Sequence, residues 1–327
     1  MPTIKDVARK AGVSVGTVSR VLSRNDTVKE PLKLRVRAAM KELNYKPNLA
    51  ARALRTNSIE VIGLVVPDIT NPFFAQLAKN IEMEAARRGH SVMLANSHDD
   101  VEAERTQISV LLDRSVCGVI VVATSDGGEG HKAEVPIVSL DRRFGAYPLV
   151  ATDHRDGSQK IADHLVGLGH RQIAYIAGPQ SMEVARQRRD GFVARIEALS
   201  KKDDPIRLTI REGQFDYDSG EEIGRTLLKD APPGTRPTAI AAASDQQAIG
   251  VLRCARDLKL EIPKDLSVTG FDDITLASLV VPRLTTLRQS IERLAVTAVE
   301  RVIAGEAVSA DEAIGGEVVV RESTAEV

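Results

Sequence analysis

The 327-residue sequence has no tryptophan, and aromatics make up only 3% of it, so clustered rings mark a pocket while a lone ring reads as core. Its two cysteines, Cys117 and Cys254, exclude a disulfide framework, and neither lies near a second Cys or a His at metal-ligand spacing. The six histidines (90, 98, 131, 154, 164 and 170) show no such spacing beside carboxylates either. No apolar run approaches the ~18 residues of a membrane span, and the opening MPTIKDVARK lacks the apolar core of a secretion signal. These absences lead to an expectation of a cytoplasmic protein that neither spans nor lies on a membrane. No strand is followed by G-x-G-x-x-G, no G-x-x-x-x-G-K phosphate loop occurs, and no serine sits in a nucleophile elbow. The GGEG at 127–130 lies in a polar stretch and reads as a surface turn. An enzyme is therefore disfavoured, and no cofactor or metal is expected.

What is present is the balance of a globular protein, 43% hydrophobic and 27% charged, long enough for about two domains with sizeable cores. The net charge of −1 conceals an asymmetry. Residues 1–57 carry 13 Lys+Arg against four Asp+Glu, whereas the remainder carries 31 against 41. A basic head on an acidic body is the distribution of a protein that meets a polyanion with one end, although a solvated basic surface gives the same count.

Within that head, Thr3 and Asp6 form a capping box ahead of Ile4, Val7, Ala8 and Ala11 at helical spacing, and Gly12 ends the helix. Ser14 can cap a second helix with Val15, Val18 and Leu22 facing inward or at its edge; a third runs from about Pro31 through Leu34, Ala38, Met40 and Leu43 to Asn44. Helix, tight turn, helix is a spacing that presents the second helix to a DNA major groove. Val15 can then pack on a thymine methyl, and Arg20 can reach a guanine with two hydrogen bonds. Ser14, Thr17 and Ser19 are short donors suited to phosphates, and Gly16 leaves the helix bare. After Pro47, Asn48 can cap the short run LAARALR, in which Leu54 stands between Arg52 and Arg55. It is either a linker helix packing on a neighbour or a wedge that opens the minor groove.

From Glu60 apolar runs alternate with helical ones. Strands are expected at 61–66, 91–95, 117–123, 135–140 and 149–152, then at 171–178, 206–210, 238–244 and 267–272. Helices are expected near 72–89, 101–114, 156–168, 184–200, 217–229 and 245–258, followed by strand 285–288, helix 289–304 and strand 317–320. Two such series make an α/β body of two doubly wound lobes with parallel sheets. Ligands bind beyond the carboxyl ends of such strands. The residues there are Phe73 and Phe74 in DITNPFF, Asp141 and Arg142 in SLDRRF, Arg188, Phe215, the ASDQQ of 243–247, and Asp272 in GFDD. Rings against sugar C–H faces, with carboxylates and guanidiniums bidentate to hydroxyls, suit a small polar ligand. Each has an ordinary alternative: Asp272 capping a turn, Arg188 pairing with an acidic neighbour, Phe73 in a core, Arg142 facing solvent or an anionic group.

The succession TIKDVARKAGVSVGTVSRVLS, NYKPNLAARALRTNS and IGLVVPDITNPFFAQL resembles the LacI/GalR family of bacterial transcription repressors along the whole chain. The resemblance implies a helix-turn-helix domain over 1–46 and a hinge helix over 47–58. It also implies a periplasmic-binding-protein-like body, with one lobe at 59–153 plus 286–313 and the other at 154–285 plus 314–327. It assigns base readout to Val15, Gly16 and Arg20, and backbone contacts to Thr3, Ser14, Thr17, Ser19 and Tyr45. Leu54 with Ala51 beside it becomes the wedge. Phe73, Phe74, Asp141, Arg188, Phe215, Ser244, Asp245 and Asp272 become effector contacts. The implied partners are a pseudo-palindromic double-stranded operator, a sugar or sugar derivative, and a second copy of the chain, the last favoured over a tetramer because no leucine heptads follow RESTAEV. A transport module for sugars and a doubly wound enzyme with a DNA head remain as alternatives.

Overall fold

The computed structural model describes residues 2–22, 28–45, 60–126, 133–229, 235–305 and 310–327. The expected hinge helix, with Asn48, Ala51 and Leu54, lies outside the described residues, as does the GGEG turn. The chain divides into two compact units, Met1–Ile59 and Glu60–Val327.

The first unit holds three helices, α1 (Ile4–Ala11), α2 (Val15–Leu22) and α3 (Glu30–Glu42). The capping box forms in both directions, with the Thr3 amide donating to Asp6 over 2.8 Å and Thr3 Oγ1 accepting from the Asp6 amide. Gly12 takes the left-handed conformation, at φ 63°, that ends α1 and turns the chain into α2. Arg35 of α3 fixes this turn, its Nη2 donating to the carbonyls of Ala11 (2.6 Å) and Gly12 (3.2 Å). Val7, Ala8, Ala11, Val18, Val36 and Ala39 fill the small core. Leu34 and Ala38, on the expected inner face of the third helix, are instead exposed; Val36 and Ala39 carry the packing, which shifts the buried stripe around α3.

The second unit contains two six-stranded sheets. The first has the order β11-β5-β4-β3-β1-β2, formed by β1 (Val61–Val66), β2 (Ser91–Asn96), β3 (Gly118–Val121), β4 (Ile137–Leu140), β5 (Leu149–Thr152) and β11 (Glu312–Ile314). All its pairings are parallel. Helices α4 (Pro72–Arg87) and α10 (Ile291–Ala304) bury Phe74, Leu77, Ile81, Leu294 and Val299 against one face, and α5 (Val101–Asp113) places Ile108 and Leu111 against the other. The second sheet runs β12-β10-β9-β8-β6-β7, from β6 (Gln172–Ala177), β7 (Arg207–Glu212), β8 (Ala239–Ala242), β9 (Ser267–Asp272), β10 (Thr285–Arg288) and β12 (Glu317–Val319). Only β12 runs antiparallel to its neighbour. Helices α6 (His154–Gly167) and α7 (Glu183–Leu199) cover one face, and α8 (Tyr217–Lys229) and α9 (Asp245–Asp257) the other. Full cover on both faces explains why the central strands read as unbroken apolar runs.

The chain passes between the sheets three times: between Thr152 and His154, between Arg288 and Ile291, and between Ile314 and Glu317. The boundary expected at 285/286 cuts through β10, whose partners are β9 and β12 of the second sheet, so the chain stays in that lobe as far as Arg288. Ile314, placed in the second lobe from sequence, is the last residue of β11 in the first sheet. Strand pairing, which decides both points, leaves no mark on the local pattern.

Candidate functional site

In the head, the start of α2 is ordered by its own hydroxyls. Ser14 Oγ accepts the Thr17 amide over 3.1 Å and lies 2.9 Å from Thr17 Oγ1. Ser14, just ahead of α2, and Gly16, Ser19 and Arg20 on it are exposed, and Arg20 Nε donates to the Gly16 carbonyl at 3.2 Å, laying the guanidinium along the helix. Val15 and Tyr45 are half-buried, packed against the head's core, and Thr3 is exposed at the first cap. A Cβ on Gly16 would meet nothing nearer than 3.7 Å, so glycine is not required there by the fold.

In the body, helix starts and strand ends from the two lobes face one another across a cleft. Asn71 caps α4 by accepting the Phe73 amide over 3.0 Å, which sets Phe73 and Phe74 at the head of that helix with ring centres 5.4 Å apart. Phe73 also belongs to the first lobe's core, so its structural and cleft positions coincide. A recess of about 20 Å³, room for about one water, is lined by both rings with Asp141, Arg188, Ser244 and Asp272. It adjoins a chamber of about 560 Å³, within the range of small-molecule sites; the two share Asn71, Phe74, Arg142, Phe215 and Gln246.

The floor is a charged network. Arg188 is buried; Nη1 donates to the Ala243 carbonyl (2.6 Å), Nη2 meets Asp272 Oδ1 at 3.2 Å, and Nε donates to His154 Nδ1 at 3.3 Å. Its guanidinium lies 3.9 Å from the centre of the Phe271 ring and 5.6 Å from that of Phe215. Arg142 stacks over Phe74 at 5.1 Å. Burial raises the Asp272 carboxyl to about 6 against the pull of Arg188, and it raises Asp141 against Arg188 and Arg142. Burial also lowers the Arg142 guanidinium, and holds His154 well below the ordinary histidine range with help from both arginines. Asp141 Oδ1, Arg142 Nε and His154 Nε2 are buried with no hydrogen-bond partner among the described residues. Buried orphans of this kind await a ligand or a rearrangement.

Asp245 does not join the cleft. Its carboxylate accepts the Ile274 amide at 2.8 Å and the Thr286 hydroxyl, tying α9 to the segment after β9; burial, then Asp272, raises it well above the ordinary carboxylate range. Ser244 both lines the recess and caps α9 through the Gln247 amide. Sequence reasoning missed Asn71, although it stands in the same TNPFF run, and Gln246, which lies within the ASDQQ motif. It also missed Asp68, Asp99 and Asp216, which ring the chamber from loops of both lobes. At the rims, Gln76 Oε1 of α4 accepts the Thr275 amide at 2.8 Å. Asp126 accepts the Glu183 amide and pairs with Arg186 Nη2 at 2.8 Å. Among the described residues no group of three His, Cys, Asp or Glu could hold a metal ion, and no helix is long and apolar enough to cross a membrane.

A helix-turn-helix head together with a two-lobed body that encloses a polar cleft defines a class of ligand-responsive DNA-binding proteins. Comparison with known proteins narrows it. Residues 3–48 match the family of bacterial regulatory proteins, lacI family, and residues 162–324 match the periplasmic binding protein-like domain. The ribose operon repressor of Halalkalibacterium halodurans is 37% identical over 89% of this chain and 86% of its own length. The HTH-type transcriptional repressor PurR of Pectobacterium carotovorum is 34% identical over 90% and 87% respectively. The crystal structure of the lac repressor dimer bound to operator and the anti-inducer ONPF superposes with a TM-score of 0.82 at 31% identity, covering 99% of both chains. The chain belongs to the lacI family of bacterial regulatory proteins.

Proposed function

We propose that the chain is a sequence-specific DNA-binding repressor whose operator affinity is set by a small, neutral, polyhydroxylated effector held between the lobes, a pentose such as ribose first among them. The observation that carries the effector half is the gathering of two carboxylates and two guanidiniums at one cleft floor, Asp141 and Arg142 from the first lobe and the Asp272–Arg188 ion pair from the second, beside the rings of Phe73, Phe74 and Phe215. Vicinal hydroxyls each donate one hydrogen bond and accept another, and such pairs offer both functions in place; the rings cover the C–H faces. The names of the ribose operon repressors, at up to 37% identity, agree with this chemistry. Five carboxylates line recess and chamber (Asp68, Asp99, Asp141, Asp216, Asp272) against the two guanidiniums, which disfavours a sugar phosphate.

For the DNA half, α2 presents Ser14, Val15, Gly16, Thr17, Ser19 and Arg20 to a major groove, with Thr3 and Tyr45 at phosphates. Asn48, Ala51 and Leu54 belong to the same proposal as the hinge. The working form is a homodimer in the cytoplasm that performs no chemistry of its own, because a two-fold operator is read by a two-fold protein. Its contact face draws on exposed apolar side chains: Met83 and Leu94 of the first lobe, and Leu276, Leu279 and Val281 of the second. Fluorescence anisotropy on palindromic duplexes selected from a random library tests the reading. Tight binding that ribose or a related pentose shifts by 5–150-fold, a usual range for such linkage, supports it. Indifference to every sugar removes the effector half, and no duplex binding at low salt removes the whole.

A further inference from the structure

His154 lines neither cavity, and no hydroxyl chemistry requires it, yet it is buried at the first passage of the chain between lobes, as the first residue of α6. Arginine can only donate, so the Nδ1 facing Arg188 Nε at 3.3 Å must carry a lone pair. A neutral imidazole with Nδ1 as acceptor holds its proton on Nε2. That Nε2–H stands 3.6 Å from Asp141 Oδ1, just beyond a hydrogen bond, and neither atom has another partner among the described residues. Asp141 follows β4 of the first lobe, while Arg188 and Asp272 belong to the second. The line Asp141, His154, Arg188, Asp272 therefore runs from lobe to lobe beneath the cleft. A second thread supports it at the next passage: Thr152 Oγ1 donates to Gln289 Oε1 over 2.6 Å, and Gln289 Nε2 donates to Asp272 Oδ1 over 2.7 Å.

We propose that His154 is a positioning residue that ties the effector-binding carboxylate of one lobe to the effector-binding arginine of the other. A fraction of an ångström of closure completes the Nε2–H bond to Asp141. The ring then holds Asp141 and Arg188 at one spacing, so a ligand engaging either finds the other in place. The inference rests on the cleft being the effector site, but the bridge itself is measurable without a ligand.

The test uses the full-length protein labelled with ¹⁵N-histidine, together with His154→Asn, His154→Gln and Asp141→Asn. The His154 resonances, assigned by their loss in the variants, are expected to report the Nε2-protonated tautomer, with the Nε2 signal moving in Asp141→Asn. A ring protonated on Nδ1 or on both nitrogens, or an Nε2 signal indifferent to Asp141→Asn, overturns the proposal whether or not any sugar binds. Asparagine keeps an acceptor near Arg188 but cannot reach Asp141, so His154→Asn is expected to weaken ribose binding about tenfold or more, the scale of a hydrogen bond to a charged group. Glutamine, which restores a donor near the Nε2 position, is expected to recover part of that loss. Because His154 is buried, both variants are expected to melt below the parent, so ribose affinity is read well below their midpoints, on protein whose operator binding shows that it is folded. Ribose affinity within twofold of the parent in His154→Asn overturns the role. If the parent binds no sugar while the Nε2 signal still responds to Asp141→Asn, the bridge stands and the effector reading alone fails.

Discussion

Replacing Gly178 by Ala puts one methyl group behind the Phe215 ring without touching a charged residue of the cleft. The new Cβ falls 2.9 Å from Cε2 of that ring, and closer still to Cζ and Cε1. Carbon atoms rest at about 3.5–4.0 Å, so the ring must withdraw by roughly 1.5 Å or swing toward the chamber. Gly178 has no positive φ, so alanine adds no backbone strain there. Phe215 lines recess and chamber alike and covers Arg188 at 5.6 Å, so its shift alters the wall against which the proposed effector would pack. Overpacking costs about 1–3 kcal/mol. Because the ring is half-buried and able to move, we expect the smaller part of that in folding. The larger part, about 1–2 kcal/mol or roughly 5–30-fold, falls on effector affinity. Calorimetric titration with ribose and a thermal melt, run beside Phe215→Ala, separate the two. An unchanged ribose affinity in Gly178→Ala, with Phe215→Ala strongly impaired, would show that the ring's placement does not matter and refute the reasoning.

Asp272 supplies a pH dependence. Its folded-state value of about 6 lies above the ordinary 3.8, so the native state holds that proton more tightly, and stability is lost as pH rises from about 4 to 6. By denaturant titration, the advantage of the parent over Asp272→Asn is expected to fall across that window by about 3 kcal/mol, at 1.4 per unit; a constant difference refutes it. Arg20→Ala is expected to cost about 1–3 kcal/mol on a selected operator while sparing binding to random duplex, read by anisotropy. Gly16→Ala is expected to stabilise the isolated head by about 0.5–1 kcal/mol in thermal melts while changing operator preference. The pair Leu279→Asp with Val281→Asp is expected to shift sedimentation toward monomer at micromolar protein and leave ribose affinity in place.

Local chemistry is what the sequence makes legible. Thr3 and Asp6, Gly12 and the Ser14 cap act within a few residues of themselves, so their pattern names the turn before any coordinate does. Strand ends are nearly as readable: Asp141, Phe215 and Asp272 follow from the rule that ligands gather there, whereas Arg188 reaches the cleft from the second turn of α7. Asp245 obeys the same rule and still turns inward, because its helix start packs against Gly270 and must hold the Ile274 amide. Only tertiary neighbours decide which way such a carboxylate points. His154 and Gln289 leave no mark on the local pattern for the related reason that Asp141, which faces His154, comes from the other lobe and Thr152, which donates to Gln289, from the other passage. The three-residue β11 offers no apolar run at all, and its existence depends on pairing with β5.

The contact of Asp126 with Arg186 and the Glu183 amide has a kinetic meaning. It joins the lobes beside the chamber, as Gln76 and Thr275 join them elsewhere, so parting the lobes breaks both contacts. A sequence change at this edge is therefore expected to alter the rate at which the lobes part through side chains that line neither recess nor chamber.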